Sequence, residues 1–259
     1  MTLITKDFST GYQNNEIIKS INITLRNKEW LGIIGPNGSG KSTFLKGISR
    51  ILEPSSGHAF INEYDIHSSS SNDIAKKISI LPQLQTLDLQ MSVYELVCLG
   101  RSPHKKWWQT DLNSEDYVKV DQSLALTEMS NLKNKAVGTL SGGQRQRAFL
   151  SLALAQDAKT LLLDEPTTFL DLHYQLQLLD LLKRLNKDQR LSIITVIHDV
   201  NLAARYCDRI AVFKNGELIA QDETSKVLTR ELMKEAFQVE TCQIETPIGL
   251  QICTIKSYQ

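Results

Sequence analysis

A glycine-rich loop between an apolar strand and a helix constrains the fold of this 259-residue chain more than any other feature. Residues 29–34 form an apolar run typical of a strand, and residues 43–52 carry apolar side chains at helical spacing. The loop between them matches a phosphate-binding pattern and reads Gly35-Pro36-Asn37-Gly38-Ser39-Gly40-Lys41-Ser42. Its glycines let backbone N–H groups surround a phosphate chain, and the helix adds the positive end of its dipole. We therefore predict that the chain binds a nucleoside triphosphate.

Two side chains at the end of this loop have predicted roles in nucleotide binding. Lys41 supplies a positive charge for the β- and γ-phosphates, and Ser42 offers a hydroxyl to Mg²⁺. Kinases, GTPases and motor ATPases share such a loop. The loop therefore predicts nucleotide binding, and the choice among these classes depends on the rest of the sequence.

Two adjacent carboxylates follow a second apolar strand, in the run Leu161-Leu162-Leu163-Asp164-Glu165-Pro166. Asp164 is placed to hold the hydration shell of Mg²⁺, because oxygen ligands suit a hard cation. Glu165 can orient or deprotonate an attacking water. Taken alone, this pair is equally consistent with a solvated strand end.

A second candidate anion site lies in the segment Leu140-Ser141-Gly142-Gly143-Gln144. Ser141 and Gln144 are spaced as a capping box, which predicts the start of a helix, and the two glycines expose its first amides. One chain does not need two such sites for one γ-phosphate. We therefore favour a head-to-tail dimer in which each copy offers this helix end to the other's nucleotide. Taken alone, the segment is better explained as an ordinary capped helix.

The composition bears on the possible partners and the cellular compartment of the protein. Lys+Arg and Asp+Glu both number 29, so the zero net charge offers no reason to predict a nucleic acid partner. The four cysteines (Cys98, Cys207, Cys242 and Cys253) form no CxxC pair, and we interpret them as buried or inert thiols. The N-terminus lacks a signal peptide pattern, and no run approaches the ~18 apolar residues of a membrane span. We therefore expect a cytoplasmic protein that, if it serves a membrane, docks on a partner that spans it.

The order of strand and helix patterns predicts an α/β fold. Strands at residues 78–81, 161–163 and 192–197 alternate with helical patterns, which is typical of a mostly parallel sheet. A mostly helical stretch over residues 92–156 interrupts this alternation. We interpret the chain as one domain, 1–259, with an inserted helical subdomain over residues 86–157.

Turn and cap signals predict several local boundaries. Residues 3–8 and 17–25 are predicted strands with a turn at residues 10–15 between them. The helix at residues 43–52 is expected to end at residues 53–57, with a strand starting at His58. Asn72 or Ser71 is predicted to cap the next helix.

The combination of these motifs resembles the ABC (ATP-binding cassette) ATPases. Ser141 lies 100 residues after Lys41, and Glu165 lies 24 residues after Ser141, an order and spacing that match this family. The resemblance covers nearly the whole chain. It implies a P-loop NTPase core with a mostly parallel sheet, an N-terminal antiparallel β-subdomain and an inserted helical subdomain.

The resemblance also implies roles for individual residues. Tyr12 matches the aromatic residue that stacks on adenine, and Gln83 matches the glutamine that touches Mg²⁺ and couples to the membrane partner. Asp171, in the loop that begins at Thr168, matches the residue that communicates across the dimer, and His198 matches the switch histidine near the γ-phosphate. The implied ATP-binding set is Tyr12, Gly35, Pro36, Asn37, Gly38, Ser39, Gly40, Lys41, Ser42 and Thr43. The Mg²⁺ set is Ser42, Gln83 and Asp164, the catalytic pair is Glu165 and His198, and the set acting in trans is Ser141, Gly142, Gly143 and Gln144.

Within this superfamily the chain resembles the importer ATPases for iron–siderophore, haem and vitamin B12 uptake. The segments that carry this likeness are Gly100-Arg101-Ser102-Pro103-His104, Leu81-Pro82-Gln83 and residues 164–171. The short interval between the motifs excludes the coiled-coil repair ATPases, and the single cassette excludes the two-cassette translation factors. The likeness implies a second copy and membrane permeases as partners, with a substrate-binding protein as an indirect one. Import of free metal ions or amino acids, or a regulatory role without transport, are the alternatives.

Overall fold

Two sheets, a two-stranded hairpin and a set of helices form the described part of the chain. The computed structural model describes residues 1–13, 15–81, 90–105, 109 and 111–258. The strands are β1 Leu3–Tyr12, β2 Asn15–Ile21, β3 Thr24–Leu25, β4 Trp30–Ile34, β5 Pro54–Ile61, β6 Tyr64–Asp65, β7 Ile78–Leu81, β8 Thr160–Asp164, β9 Ser192–Val196, β10 Arg209–Lys214, β11 Glu217–Glu223, β12 Val239–Thr246 and β13 Gly249–Ser257. The α-helices are α1 Lys41–Ile48, α2 Ser71–Ala75, α3 Val93–Leu99, α4 Ser114–Leu126, α5 Gly142–Ala155, α6 Leu172–Asp188, α7 Val200–Tyr206, α8 Thr224–Val227 and α9 Arg230–Phe237.

The central sheet has six strands in the order β11-β10-β4-β9-β8-β7. All neighbouring pairs are parallel except β10 with β11, so the predicted mostly parallel α/β sheet is confirmed. Strands β4, β8 and β9 are buried along their whole length. They lie side by side, and their carboxyl ends therefore meet at one edge, where ligands of open parallel sheets bind.

Side chains of the central strands alternate between two buried apolar clusters. Trp30 and Ile34 of β4 belong to the larger cluster, which includes side chains of α3 to α6. Leu31 and Ile33 belong to the other cluster, together with α1 and the N-terminal strands. Because successive strand residues point to opposite faces, the two clusters lie on opposite sides of the sheet.

The N-terminal sheet is antiparallel, as the resemblance implied, with the order β2-β1-β5-β6 and β3 paired to β1. The predicted turn at residues 10–15 is wrong at both ends. The ladder between β1 and β2 continues through Tyr12 paired with Asn15. Strand β5 also starts at Pro54 rather than His58, because Pro54 pairs with Thr10 of the longer β1.

Two helix boundaries differ from the prediction. Helix α1 ends at Ile48 rather than Leu52, and Arg50 just beyond it has a φ of 67°, outside the helical region. Helix α2 is capped by Ser70 rather than by Asn72 or Ser71, because the Ser70 side chain accepts a hydrogen bond from the Asp73 N–H at 3.2 Å.

The helical region between β7 and β8 is held by a buried ion pair. Arg101 Nε donates to Asp116 Oδ1 at 2.8 Å, and the two side chains are only 7% and 3% exposed. Arg101 Nη1 also donates to the Ala155 carbonyl at 2.7 Å, at the end of α5. The Gly100–His104 segment thus ties the start of α4 to the end of α5. The boundaries of the predicted subdomain, 86–157, stay a prediction, as does the single domain over 1–259.

Breaking this ion pair is expected to destabilise the protein. Burial is the largest single effect and would raise the pKa of Asp116. The hydrogen bonds from Arg101 and the Asn113 backbone, together with the charge of Arg101, outweigh it, so the pKa is lowered. The stabilisation is therefore present above the ordinary aspartate pKa of 3.8 and is lost as the pH falls below that value. Arg101→Met should lower the free energy of unfolding at pH 7 by about 3–5 kcal/mol, because it strands a buried carboxylate. Urea denaturation would measure this loss.

The matched control is Lys119→Met. It breaks the exposed pair between Lys119 and Asp157, whose N–O distance is 2.9 Å, and should cost less than about 1 kcal/mol. Equal losses in the two variants would contradict the assignment of Arg101 as a buried structural cation.

The C-terminal hairpin β12–β13 forms a sheet of its own and packs against α7 and α9. All four cysteines are free thiols. Burial raises the pKa of Cys98 and Cys207, whereas Cys253 is exposed, so the predicted burial does not hold for all four. Among the described residues, no helix has both the length and the apolar character needed to cross a bilayer.

Candidate active site

A cleft of about 560 Å³ opens at the carboxyl ends of β4, β8 and β9. The sheet order places the loop after β4 next to the residues that follow β8 and β9. The cleft is lined by Tyr12, Ile17, Asn37, Gly38, Gly40, Lys41, Ser42, Thr43, Glu165 and His198. The structure thus brings most of the predicted ATP-binding set together with both predicted catalytic residues.

The glycine-rich loop has a backbone that only glycine can adopt at two key positions. Gly35 has a φ of 153°, and a Cβ there would lie 2.2 Å from the Phe213 carbonyl oxygen. Gly40 has a φ of 96°, and a Cβ there would lie 2.4 Å from Ile18 Cδ1. Gly40 is also the N-cap of α1, and no side chain caps this helix. The first amides of α1 are therefore available to a phosphate.

The Lys41 side chain is hydrogen-bonded to backbone carbonyls of the phosphate loop. Its Nζ donates to the Gly35 carbonyl at 2.9 Å and to the Pro36 carbonyl at 2.8 Å. Burial lowers the pKa of Lys41, and the neighbouring carboxylates of Glu165 and Asp164 oppose this shift. A phosphate chain in the loop would compete with these carbonyls for the same cation.

Ser42, which lines the cleft, is hydrogen-bonded to Asp164, the last residue of β8. Ser42 Oγ donates to Asp164 Oδ1 at 2.7 Å, across two different elements. Burial raises the pKa of Asp164, the Ser42 hydrogen bond opposes that shift, and the charge of Glu165 reinforces it.

A hydroxyl next to a buried carboxylate is a donor set that suits Mg²⁺, because hard cations prefer oxygen ligands. A cation here would also offset the cost of keeping Asp164 ionised. No group of three or more His, Cys, Asp or Glu in the described ranges could hold a metal ion. Gln83, the third predicted ligand, lies outside the described residues.

Glu165 and His198 contact each other directly. His198 Nε2 lies 2.6 Å from Glu165 Oε1, and Thr168 Oγ1 donates to Glu165 Oε2 at 3.2 Å. Glu165 itself has a φ of 52°, which turns the chain sharply just after β8. Because each carboxylate oxygen has a partner, the orientation of Glu165 is restrained. The sequence placed both residues near the γ-phosphate, but not in contact.

The signature residues, Ser141 to Gln144, are those predicted to act in trans, and they lie at the start of helix α5. Ser141 caps α5 and forms the predicted capping box with Gln144. Gly143 lies against Tyr174, whose N–H donates to Asp171 Oδ1 at 3.1 Å, so Asp171 caps α6. Within the described part of the chain, none of residues 141–144 lines the cleft.

Comparison with known proteins decides the family. The profile of the ABC transporter family matches residues 18–168 of the chain. The chain belongs to the ABC transporter family. It is an ATPase of this family and the fold is that of an ABC cassette.

Several relatives of this ABC ATPase are alike over most of their length. The chain is 41% identical to the iron(3+)-hydroxamate import ATP-binding protein FhuC of Bacillus subtilis, covering 95% of this chain and 91% of that protein. It is 42% identical to the petrobactin import ATP-binding protein FpuC of Bacillus anthracis, over 86% of this chain and 82% of that protein.

Solved structures agree with the fold of this ABC ATPase. A metal-chelate type ABC transporter in an inward-facing conformation matches with a TM-score of 0.85 and 26% identity, covering 98% of this chain and 97% of that chain. The dimeric structure of MJ0796, a bacterial ABC transporter cassette, matches with a TM-score of 0.73 and 28% identity, covering 86% of this chain and 98% of that chain.

Sequence reasoning about this ABC ATPase missed Ile17, which lines the cleft, and Lys46, which contacts Tyr12. Lys46 Nζ donates to the Tyr12 hydroxyl at 3.1 Å and lies 5.7 Å from the centre of its ring. Ile17 adds an apolar wall. Neither residue belongs to a recognisable motif, and their positions depend on how α1 packs against the N-terminal sheet. Tyr12 itself is 44% exposed, so one ring face is available for stacking.

Proposed function

We propose that this ABC ATPase powers an importer of iron–siderophore complexes, with two copies acting on separate permease subunits. The hydrolytic part of this proposal rests on one observation. A restrained Glu165–His198 pair lies in the same cleft as the phosphate loop and Ser42, which is hydrogen-bonded to Asp164. The transported class rests on the names of relatives that share about two fifths of their residues with this chain.

The residues of the cleft, together with Asp164, have different tasks in the proposed reaction. Tyr12 stacks on the adenine, while the loop amides and Lys41 hold the phosphates. Ser42 and Asp164 would hold Mg²⁺, which when bound neutralises charge on the β- and γ-phosphates. Glu165 accepts the proton of the attacking water at a carboxylate oxygen, and ADP is the leaving group. His198 orients Glu165 and the transferred phosphoryl group.

A second copy completes the site in this proposal. Residues 141–144 of that copy offer the capped end of α5 to the γ-phosphate. An exposed apolar surface next to this helix supports such a contact, since Phe169 is 90% exposed and Leu172 is 68% exposed. Asp171 lies between them in sequence and would lie at the same interface.

The membrane partners follow from the importer role. We place the protein at the cytoplasmic face of the membrane, bound to permease subunits that a substrate-binding protein serves from the other side. Closing and reopening of the two copies around ATP would move the permeases between two access states.

Deletion of this gene in its own host tests the proposed function. We expect ATP-dependent uptake of a ⁵⁵Fe-labelled hydroxamate siderophore to be lost and to return with the wild-type gene, but not with a Glu165→Gln gene. Uptake of free Fe²⁺ and of radiolabelled amino acids should not change. Loss of either of these uptakes, with siderophore uptake intact, would overturn the proposed substrate class.

A further inference from the structure

The C-terminal hairpin is bonded to the helix that follows His198. Asn201, in the first turn of α7, uses its side-chain amide twice on one residue of β13. Its Oδ1 accepts from the Ile252 N–H at 2.7 Å, and its Nδ2 donates to the Ile252 carbonyl at 3.2 Å. The Asn201 side chain therefore satisfies both backbone groups of Ile252, as a neighbouring strand would, because an amide has one acceptor oxygen and an N–H donor group.

The bonded residue is buried, so these two hydrogen bonds are difficult to replace with water. Ile252 is 7% exposed and belongs to the same apolar cluster as Ile197 and Ala203. A buried backbone N–H or C=O that loses its partner is costly. The outward face of the hairpin, by contrast, is exposed, with Ile244 and Ile255 about half accessible.

Hydrogen bonds made by Asp199 restrain the backbone between His198 and Asn201. Asp199 Oδ1 accepts from the N–H groups of Asn201 at 2.8 Å and Leu202 at 3.1 Å, which caps α7. The other side of this helix packs on β4, where a Cβ on Gly32 would lie 3.8 Å from Ala203 Cβ. Helix α7 is thus supported from two sides, by β4 and by β13.

We infer that Asn201 is a positioning residue for ATP hydrolysis: by fastening the first turn of α7 to β13, it holds His198 where Nε2 meets Glu165. The inference rests on the proposed roles of His198 and Glu165. It assigns a task to the C-terminal hairpin, which lies outside the matched family profile at residues 18–168.

The test compares Asn201→Leu with Asn186→Leu in the full-length protein. Asn186 is a suitable control because its side-chain amide also bonds to backbone, with Nδ2 donating to the carbonyls of Lys28 at 3.0 Å and Leu191 at 2.8 Å. Asn186 is buried, whereas Asn201 is partly buried. Asn186 lies in α6, outside the cleft lining. Both variants lose hydrogen bonds between a side-chain amide and the backbone, but only Asn201→Leu should disturb His198.

Two measurements separate positioning from plain stabilisation. We expect Asn201→Leu to lower kcat by about tenfold, since small misplacements of catalytic groups have large effects, with KM for ATP within about twofold. In ¹⁵N-histidine spectra recorded without nucleotide, only the His198 resonances should move among the five histidines. His198→Ala assigns them. Asn201→Asp keeps the acceptor for the Ile252 N–H and should recover part of kcat.

Two results would contradict a positioning role for Asn201. If the His198 resonances do not move in Asn201→Leu, or if Asn186→Leu lowers kcat as much at the same folded fraction, Asn201 is a structural residue and the inference is wrong. A wild-type protein that does not hydrolyse ATP would overturn the proposed function instead, and the histidine spectra would still decide the role of Asn201.

Discussion

Glu165→Gln should abolish nearly all ATP hydrolysis while leaving ATP binding intact. We expect kcat to fall by about 10²–10⁴-fold, the contribution usual for a general base, because the amide cannot accept a proton from water. The loop, Lys41 and Tyr12 are unchanged, so the Kd for ATP should stay within about threefold. Phosphate release under saturating ATP and Mg²⁺ would measure the first quantity, and binding of a fluorescent ATP analogue the second.

Glu53→Gln is the matched control for this substitution. Glu53 is also a glutamate with a histidine partner, at 3.3 Å from His67 Nδ1, but its side chain is 79% exposed and it does not line the cleft. Its turnover should equal that of the wild type. A Glu165→Gln protein that retains more than about a tenth of wild-type turnover would remove Glu165 from the role of general base.

Mixing two inactive variants should restore hydrolysis if each site is built from two copies. Lys41→Ala removes the phosphate-binding cation, and Ser141→Arg blocks the helix end offered to the other copy. Each variant alone should lose at least about 10²-fold in turnover. In a mixed dimer, the loop of the Ser141→Arg chain meets the intact signature residues of the Lys41→Ala chain. One of the two sites is then complete.

The expected recovery can be estimated from random pairing. About half of the dimers in an equal mixture are mixed, and each has one complete site, so up to about a quarter of wild-type turnover should return. The control mixes Lys41→Ala with the double variant Lys41→Ala/Ser141→Arg, which cannot build a complete site. Turnover in the first mixture no higher than in the control would contradict a shared site.

Short-range features of the chain could be predicted from the sequence because their causes are short-range. Strand Ile78–Leu81 has the predicted bounds, since its apolar run ends at a proline. The capping box of Ser141 and Gln144 forms as predicted, because its hydrogen bonds join residues three positions apart. The strand–loop–helix arrangement around the phosphate loop has the same origin.

Predictions failed where a distant strand decided the outcome. Residues 10–15 have turn composition, yet Tyr12 pairs with Asn15 and Thr10 pairs with Pro54. The pairing of β1 with β5 joins segments more than forty residues apart, and no periodicity in either segment reports it. For the same reason, the Gly100–His104 segment could be matched to a family, but its buried ion pair between Arg101 and Asp116 could not be predicted.

The identity of the chemical groups was readable from the sequence, but the contacts among them were not. Lys46 meets Tyr12 across 34 positions, Asn201 meets Ile252 across 51, and Glu165 meets His198 from a neighbouring strand. These contacts exist because β4, β8 and β9 are adjacent in the sheet and because α1 and α7 pack against it. Strand order results from pairing between distant segments, so only the folded chain could place these side chains together.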